Sequence, residues 1–268
     1  MKILFNADMY TDLDGLFDYD RKYHNFGFIN VAGVDEAGRG PLAGPVCASA
    51  VILPREFVIR GLNDSKKLSE RKRAELFEII MDRAAAVGVG LVSAEEIDGM
   101  GILPATRKSM TDAVTSLCVK PGLVLIDGLP IKGMELEAAV EYIVRGDSQS
   151  ASIAAASIVA KVTRDNIMVE FAEEFPEYGF EKHKGYGTAT HIAAIGKYGL
   201  CGIHRKYFIK DEWLRLDEER NHEERNHEER NRETHENYEN HERHSGQHRV
   251  GACDRSGGPA CFDKRKEY

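Results

Sequence analysis

The segment that most constrains this chain is Val31-Ala32-Gly33-Val34-Asp35-Glu36-Ala37-Gly38-Arg39-Gly40-Pro41-Leu42-Ala43-Gly44-Pro45. An apolar run ends in two adjacent acids, breaks into a loop punctuated by glycine and proline, and resumes as Val46 to Leu53. Two such runs around a Gly/Pro turn read as paired strands, which places the acids at a strand end beside the loop. Paired carboxylates can hold a hard cation such as Mg²⁺, which takes oxygen ligands. Glycines let backbone N–H groups approach a ligand with no side chain in the way. Arg39 adds a donor fork suited to phosphate. A cation site next to a loop that can grip phosphate or sugar points to phosphodiester chemistry.

The rest of the chain alternates helix and strand signals. Ser69 can cap a helix whose apolar face is Leu76, Phe77, Ile80 and Met81. Val87 to Val92 is a glycine-interrupted strand. Pro104 can open a second helix with Met110, Ala113, Val114 and Leu117 on its inner side. Leu123 to Ile126 is a continuous apolar run, as in a strand buried on both faces. Val140 to Val144 is another strand, and Ser150 to about Phe171 is an Ala/Ser-rich helix able to pack closely on a sheet. Residues 1–30 mix acids with aromatics and support one short, marginal helix. The pattern predicts an α/β domain with a mixed sheet.

The opening segment closely resembles the signature of ribonuclease HII, D-E-A-G-R-G-P-L-A-G-P. The resemblance continues in order through Asn63-Asp64-Ser65-Lys66-Lys67-Leu68, Ile126-Asp127-Gly128, Gly146-Asp147-Ser148, Ser152 to Asp165, His183-Lys184-Gly185-Tyr186-Gly187-Thr188 and Ile203-His204-Arg205. It implies the ribonuclease-H-like fold: a mixed β-sheet flanked by helices, with a C-terminal helical part. The chain then divides into an N-terminal extension at 1–30, a catalytic domain at 31–216 and a tail at 217–268.

The resemblance also implies roles. Asp35, Glu36, Asp127 and Asp147 correspond to the four carboxylates that hold two catalytic divalent ions, Mg²⁺ or Mn²⁺, with Asp35 the expected bridging ligand. Side chains alternate along a strand, so Asp35 and Glu36 can serve one site only if the strand bends at the glycines. Backbone groups at Gly38, Arg39 and Gly40 are expected to read the 2′-hydroxyl that separates RNA from DNA. Tyr186 resembles the tyrosine that stacks on the deoxyribose following the ribonucleotide. Lys66 and Lys184 are expected phosphate contacts. Lys161, Arg164 and Arg205 are either phosphate contacts or structural cations. His183 and His204 are read as structural, because cation-assisted hydrolysis needs no imidazole base. Many relatives have Lys where Gln149 stands, which weakens one expected phosphate contact.

The implied activity is endonucleolytic cutting of the RNA strand of RNA–DNA hybrids and of DNA containing single ribonucleotides, leaving a 3′-hydroxyl and a 5′-phosphate. A DNA-acting nuclease or strand-transferase of the same fold is the alternative, and a hybrid-binding module with a degenerate site is a third reading. The complete set of acids and Tyr186 argue against both. The net charge of −8 looks wrong for a nucleic-acid enzyme until it is divided. Residues 217–244 carry −6 and 245–268 carry +2, leaving −4 for 1–216, part of it in the acids of the site. Binding must therefore rest on a local basic patch. The tail repeats Glu-Glu-Arg-Asn-His with one apolar side chain, Tyr238, between 217 and 244. A five-residue step turns each repeat about 140° from the last, so no single face forms and disorder is expected. Its six histidines have no ordered metal-site spacing. Five scattered cysteines, no C-x-x-C pair and no long apolar run fit a cytoplasmic chain with no membrane segment, expected to act as a monomer.

Overall fold

The computed structural model describes residues 14–214. The expected disorder of 217–268 and the start of the N-terminal extension lie outside the described residues.

The sheet is built from β1 (Val31–Ala37), β2 (Val46–Ile52), β3 (Ala86–Val92), β4 (Leu123–Asp127) and β5 (Ala139–Ile143) in the order β3-β2-β1-β4-β5. β1, β2 and β3 are antiparallel neighbours, whereas β4 and β5 extend the other side of β1 in parallel. This is the mixed sheet the alternation of elements predicts. On one face, Val51 and Leu53 pack against Leu76 and Ile80 of α2 (Glu70–Arg83) and the alanines of α5 (Ala151–Glu174). On the other, Val34, Ala48, Ala50, Val124 and Ile126 meet Met110, Ala113 and Val114 of α4 (Ile102–Thr115). The two-residue alternation of Val34 with its neighbours on each face follows from the strand period.

Small residues decide how close the helices come. A Cβ on Gly33 would lie 2.0 Å from the Ser152 carbonyl carbon, so α5 crosses β1 where only glycine fits. Gly90 gives α4 the same access to β3, with the Ser109 oxygen 2.0 Å from where a Cβ would stand. Residues Ala151 to Ala160 are buried all round, which explains the small-residue composition of the first half of α5. Ser69 and Ser150 accept hydrogen bonds from the Lys72 and Ile153 N–H groups, capping α2 as its sequence predicts and α5 one residue before its first turn.

Several details differ from expectation. Met81 is exposed; the inner side of α2 is Leu76 and Ile80, with Phe77 half-buried beside them. α4 begins two residues before Pro104, which sits in the first turn, where its missing N–H costs nothing. A short helix, α3 (Ala94–Met100), precedes it with a Ser93/Glu96 capping box. α1 (Asp14–Asn25) docks on the domain: Phe17 and Tyr23 are buried, and Asp20 between them accepts the Ser152 N–H at 2.8 Å. The C-terminal part is helical as expected. α6 (Phe180–His183), α7 (Ala189–Tyr198) and α8 (Asp211–Leu214) gather on the far half of α5 around Met168, Tyr178, Phe180 and Ile195.

Candidate active site

β1 and β4 pair in register as far as Val34 and Ile126. The next residue on each strand is an acid, Asp35 and Asp127, at the edge where the parallel pairing stops. Asp147 comes from a turn of 3₁₀ helix (Gly146–Ser148) between β5 and α5, entered through a left-handed Arg145 with φ 57°. One oxygen of each of Asp35, Asp127 and Asp147 lies within 4.8 Å of the others. The Gly146 N–H donates to Asp127 Oδ1 at 2.6 Å, and the Glu36 N–H donates to Asp35 Oδ1 at 2.7 Å. Two backbone donors thus aim two of the three carboxylates.

Burial, then the like charges of Glu36, Asp127 and Asp147, push the Asp35 carboxyl well above the usual range. Burial and the charges of Asp127 and Asp64 raise Asp147 against the pull of Lys66. Such a cluster of hard oxygen donors, unfavourable when fully ionised, fits a divalent cation. Glu36 is outside this trio. Its Oε1 accepts from Arg39 Nη1 at 3.2 Å, and it lines a cleft of about 860 Å³ with Asp127, Arg39, Arg107 and Lys132. Burial raises its carboxyl, and Arg39 opposes that shift.

Lys66 stands on the turn Ser65–Lys67, and the Asp64 carboxylate accepts the Lys66 N–H at 2.9 Å. Partial burial lowers its pKa, but the fields of Asp35, Asp147, Asp64 and Asp127 outweigh that and raise it. Lys66 therefore faces the acid cluster. Gly38 is buried with φ 96°, while Arg39 and Gly40 are exposed. Lys184 has φ 51°, closes α6, and donates through Nζ to the Glu181 carbonyl. Gln149 donates to the Val144 carbonyl at 2.7 Å.

Of the two roles open to Arg164 and Arg205, the structural one holds. They are 1% and 0% exposed. Arg205 donates to the carbonyls of Gly38, Arg39, Pro41 and Gly44, and Arg164 to those of Ala43, Pro45 and Lys184. The glycine loop is shaped by two buried guanidinium groups from elements more than a hundred residues away. Lys161 is engaged with Asp165 at 2.7 Å. Tyr186 is 43% exposed, with Lys161 Nζ and the Arg164 guanidinium carbon each 5.9 Å from its ring centre. Its neighbour Gly185 accepts the Leu42 N–H at 2.8 Å, which ties the tyrosine segment to the glycine loop. His183, His191 and His204 lie behind it, stacked among Tyr178 and Phe180. Sequence reasoning passed over His191 altogether, since a lone histidine on an Ala/Ile helix gives no signal of what it meets.

The family model for ribonuclease HII matches residues 32–215. Ribonuclease HII of Endomicrobium trichonymphae is 55% identical over 194 residues, covering 72% of this chain and 91% of that protein. Ribonuclease HII of Bacillus subtilis is 52% identical over 190 residues, covering 71% and 73%. Among solved structures, the ribonuclease H2 from Pyrococcus horikoshii superposes with a TM-score of 0.60 at 29% identity, covering 71% of this chain and 98% of that one. The ribonuclease HII of the PCNA complex from Archaeoglobus fulgidus shares the fold, with a TM-score of 0.58 at 24% identity over 68% and 96%.

Proposed function

This chain belongs to the ribonuclease HII family, and from that premise we propose how its own residues carry out the reaction. The activity is endonucleolytic hydrolysis of the RNA strand of RNA–DNA hybrids, and it depends on divalent metal. The finer reading adds DNA carrying single ribonucleotides as substrate, Mg²⁺ or Mn²⁺ as the ion, two ions per site, and a monomeric cytoplasmic enzyme. No helix among the described residues is long and apolar enough to cross a membrane.

The observation that carries the reading is the convergence of Asp35, Asp127 and Asp147 at the end of the β1–β4 pairing. These three would hold the ions, with Glu36 approaching from the Asp127 side once Arg39 turns from it to a phosphate. Bound there, a divalent pair supplies activation of the attacking water and stabilisation of the leaving oxygen. Lys66, held beside the acids, balances their charge and can meet the phosphate that enters. Arg164 and Arg205 keep the 38–45 loop open as a backbone surface, on which Gly38, Arg39 and Gly40 read the 2′-hydroxyl. Lys184 contributes backbone shape and a basic edge. Tyr186 stacks on the sugar that follows and rejects a 2′-hydroxyl there by contact.

The test is cleavage of a duplex with one embedded ribonucleotide, with and without Mg²⁺ or Mn²⁺, by wild type and Tyr186→Ala. Cutting on the 5′ side of the ribonucleotide only when metal is present is expected. Tyr186→Ala should lose about tenfold to a hundredfold, the size of one aromatic stack. Cleavage of an all-DNA duplex at a comparable rate would instead favour a DNA-acting nuclease.

A further inference from the structure

An exposed aromatic ring that must present one face to substrate cannot be fixed by packing on all sides. Tyr186 has to be held through its backbone, and three imidazoles lie behind that backbone. The hydrogen bonds determine where their protons are. The Cys201 N–H, which can only donate, is 3.0 Å from His204 Nδ1. His204 Nδ1 is therefore an acceptor, and its proton lies on Nε2. His204 Nε2 faces His191 Nε2 at 3.1 Å. The protonated His204 Nε2 donates, so His191 Nε2 accepts and the His191 proton lies on Nδ1. His191 Nδ1 is 2.9 Å from the Tyr186 carbonyl oxygen, which receives it. Each contact fixes the next, and neither ring has room for a second proton. Burial pushes both imidazoles down to about 4, which keeps them neutral at ordinary pH.

The third ring works on the other side of the tyrosine. His183 Nδ1 accepts the Gly185 N–H at 3.2 Å, its Nε2 donates to the Tyr178 carbonyl at 2.9 Å, and it stacks on His191 with ring centres 4.5 Å apart. The Gly185 N–H ahead of the tyrosine and the Tyr186 carbonyl after it are thus each held by an imidazole. The relay begins one residue from Arg205, whose guanidinium shapes the glycine loop. One short backbone segment, His204-Arg205, therefore sets both the tyrosine and the loop.

We propose that Cys201 N–H, His204, His191 and the Tyr186 carbonyl form a directed relay of neutral imidazoles, making His191 and His204 positioning residues for ribonucleotide selectivity rather than acid–base groups. The inference rests on the reading of Tyr186 given above.

The experiment combines tautomer assignment with kinetics. Nitrogen-15 NMR of the histidine-labelled full chain should show His204 protonated on Nε2 and His191 on Nδ1. His191→Phe keeps size but removes the donor to Tyr186. His191→Asn keeps an N–H near the Nδ1 position. The readout is the ratio of kcat/KM on a single-ribonucleotide duplex to kcat/KM on a continuous hybrid. His191→Phe should lower that ratio about tenfold, at the low end of what losing the Tyr186 stack would cost. His191→Asn should restore most of it, and His191→Phe should add nothing in a Tyr186→Ala background. The opposite tautomers, or an unchanged ratio in a folded His191→Phe, would overturn the relay. Should the Phe variant fail to fold, His191→Asn decides: a retained ratio supports the relay and a lost one refutes it. If Tyr186→Ala leaves the ratio unchanged, the Tyr186 reading fails and takes this inference with it. If Tyr186→Ala shifts the ratio and His191→Phe does not, only the relay falls.

Discussion

Two neighbouring regions of this molecule bury charge in opposite ways. At the end of β1 and β4, Asp35 and Asp147 are buried beside Asp127 with more negative charge than the surroundings satisfy. Under the adjoining glycine loop, Arg164 and Arg205 are buried more completely, yet their donors are spent on backbone carbonyls. The first region leaves its charge uncompensated by the protein, and the second is satisfied within it. Uncompensated repulsion is what the proposed cation site requires, whereas saturated hydrogen bonds suit the fixed backbone shape proposed for the loop.

The largest effect should come from Asp35→Asn. On the proposed role of Asp35 as a shared metal ligand, its loss removes several kcal/mol of charge stabilisation, or about a thousandfold in rate. The same change should raise the melting temperature of the metal-free protein at pH 7 to 8. A carboxyl whose folded pKa is raised opposes folding once it ionises, so stability falls as pH rises from its ordinary range toward the folded value, and Asn abolishes that loss. Activity within tenfold of wild type, or a lowered metal-free melting temperature, would break the contrast.

The guanidinium region should respond in the reverse sense. Arg205→Leu leaves the carbonyls of Gly38, Arg39, Pro41 and Gly44 without their donor, and unfolding in urea should show a loss of about 3–5 kcal/mol. Mn²⁺ binding at the acids, followed by calorimetry on the folded fraction, should change little. A loss under 1 kcal/mol would mean that water replaces the guanidinium and that the loop is not saturated.

What the sequence made legible follows the same division. Asp35, Glu36, Asp127 and Asp147 could be singled out because chemistry-bearing residues stand beside strand ends and glycines, a local pattern. The strands themselves were legible because Val34, Val124 and Ile126 lie in short apolar runs. The roles of Arg164 and Arg205 were left open, since the loop carbonyls they hold lie 119 to 167 residues away in the chain. Proton positions in the histidines could not be read at all, because they depend on which rings face each other. The engagement of Glu36 by Arg39 instead of the aspartates also depends on side-chain direction at the last residues of β1. The capping box of Ser93 and Glu96 was present as a local signal, but α3 has only seven residues, about two turns, too short for hydrophobic periodicity to mark.

Acid should separate the two regions further. His191 and His204 sit at about 4 in the fold, against roughly 6.5 when unfolded. The unfolded chain therefore takes up more protons, and the contribution to stability, full above pH 6.5, is lost as pH falls toward 4. About 3 kcal/mol per imidazole should disappear across that window in urea titrations. The carboxylates move the other way, because protonation relieves their repulsion, so acid loss should be steeper in the Asp35→Asn background. A flat stability profile from pH 7 to 5 in that background would show that these imidazoles are not buried neutral.

The smallest effect tests whether the acid region can be tuned from its rim. Gln149 is exposed, two residues after Asp147, and its amide holds the Val144 and Arg145 carbonyls. Gln149→Lys gives up that bond for a cation near the substrate phosphates. The exchanged amide is a surface hydrogen bond worth about 1 kcal/mol, so the melting temperature should fall by no more than a few degrees. Hybrid binding should tighten a few-fold at low salt, and the slope of log affinity against log salt should steepen by about 1, as for one added phosphate contact. The gain must vanish at high salt if it is purely electrostatic. Tighter binding that survives 1 M salt would mean that the lysine reorders the Arg145–Asp147 turn. Asp127 would then be held less firmly by Gly146 than its hydrogen bond indicates, and the acid region would be the adaptable one of the two.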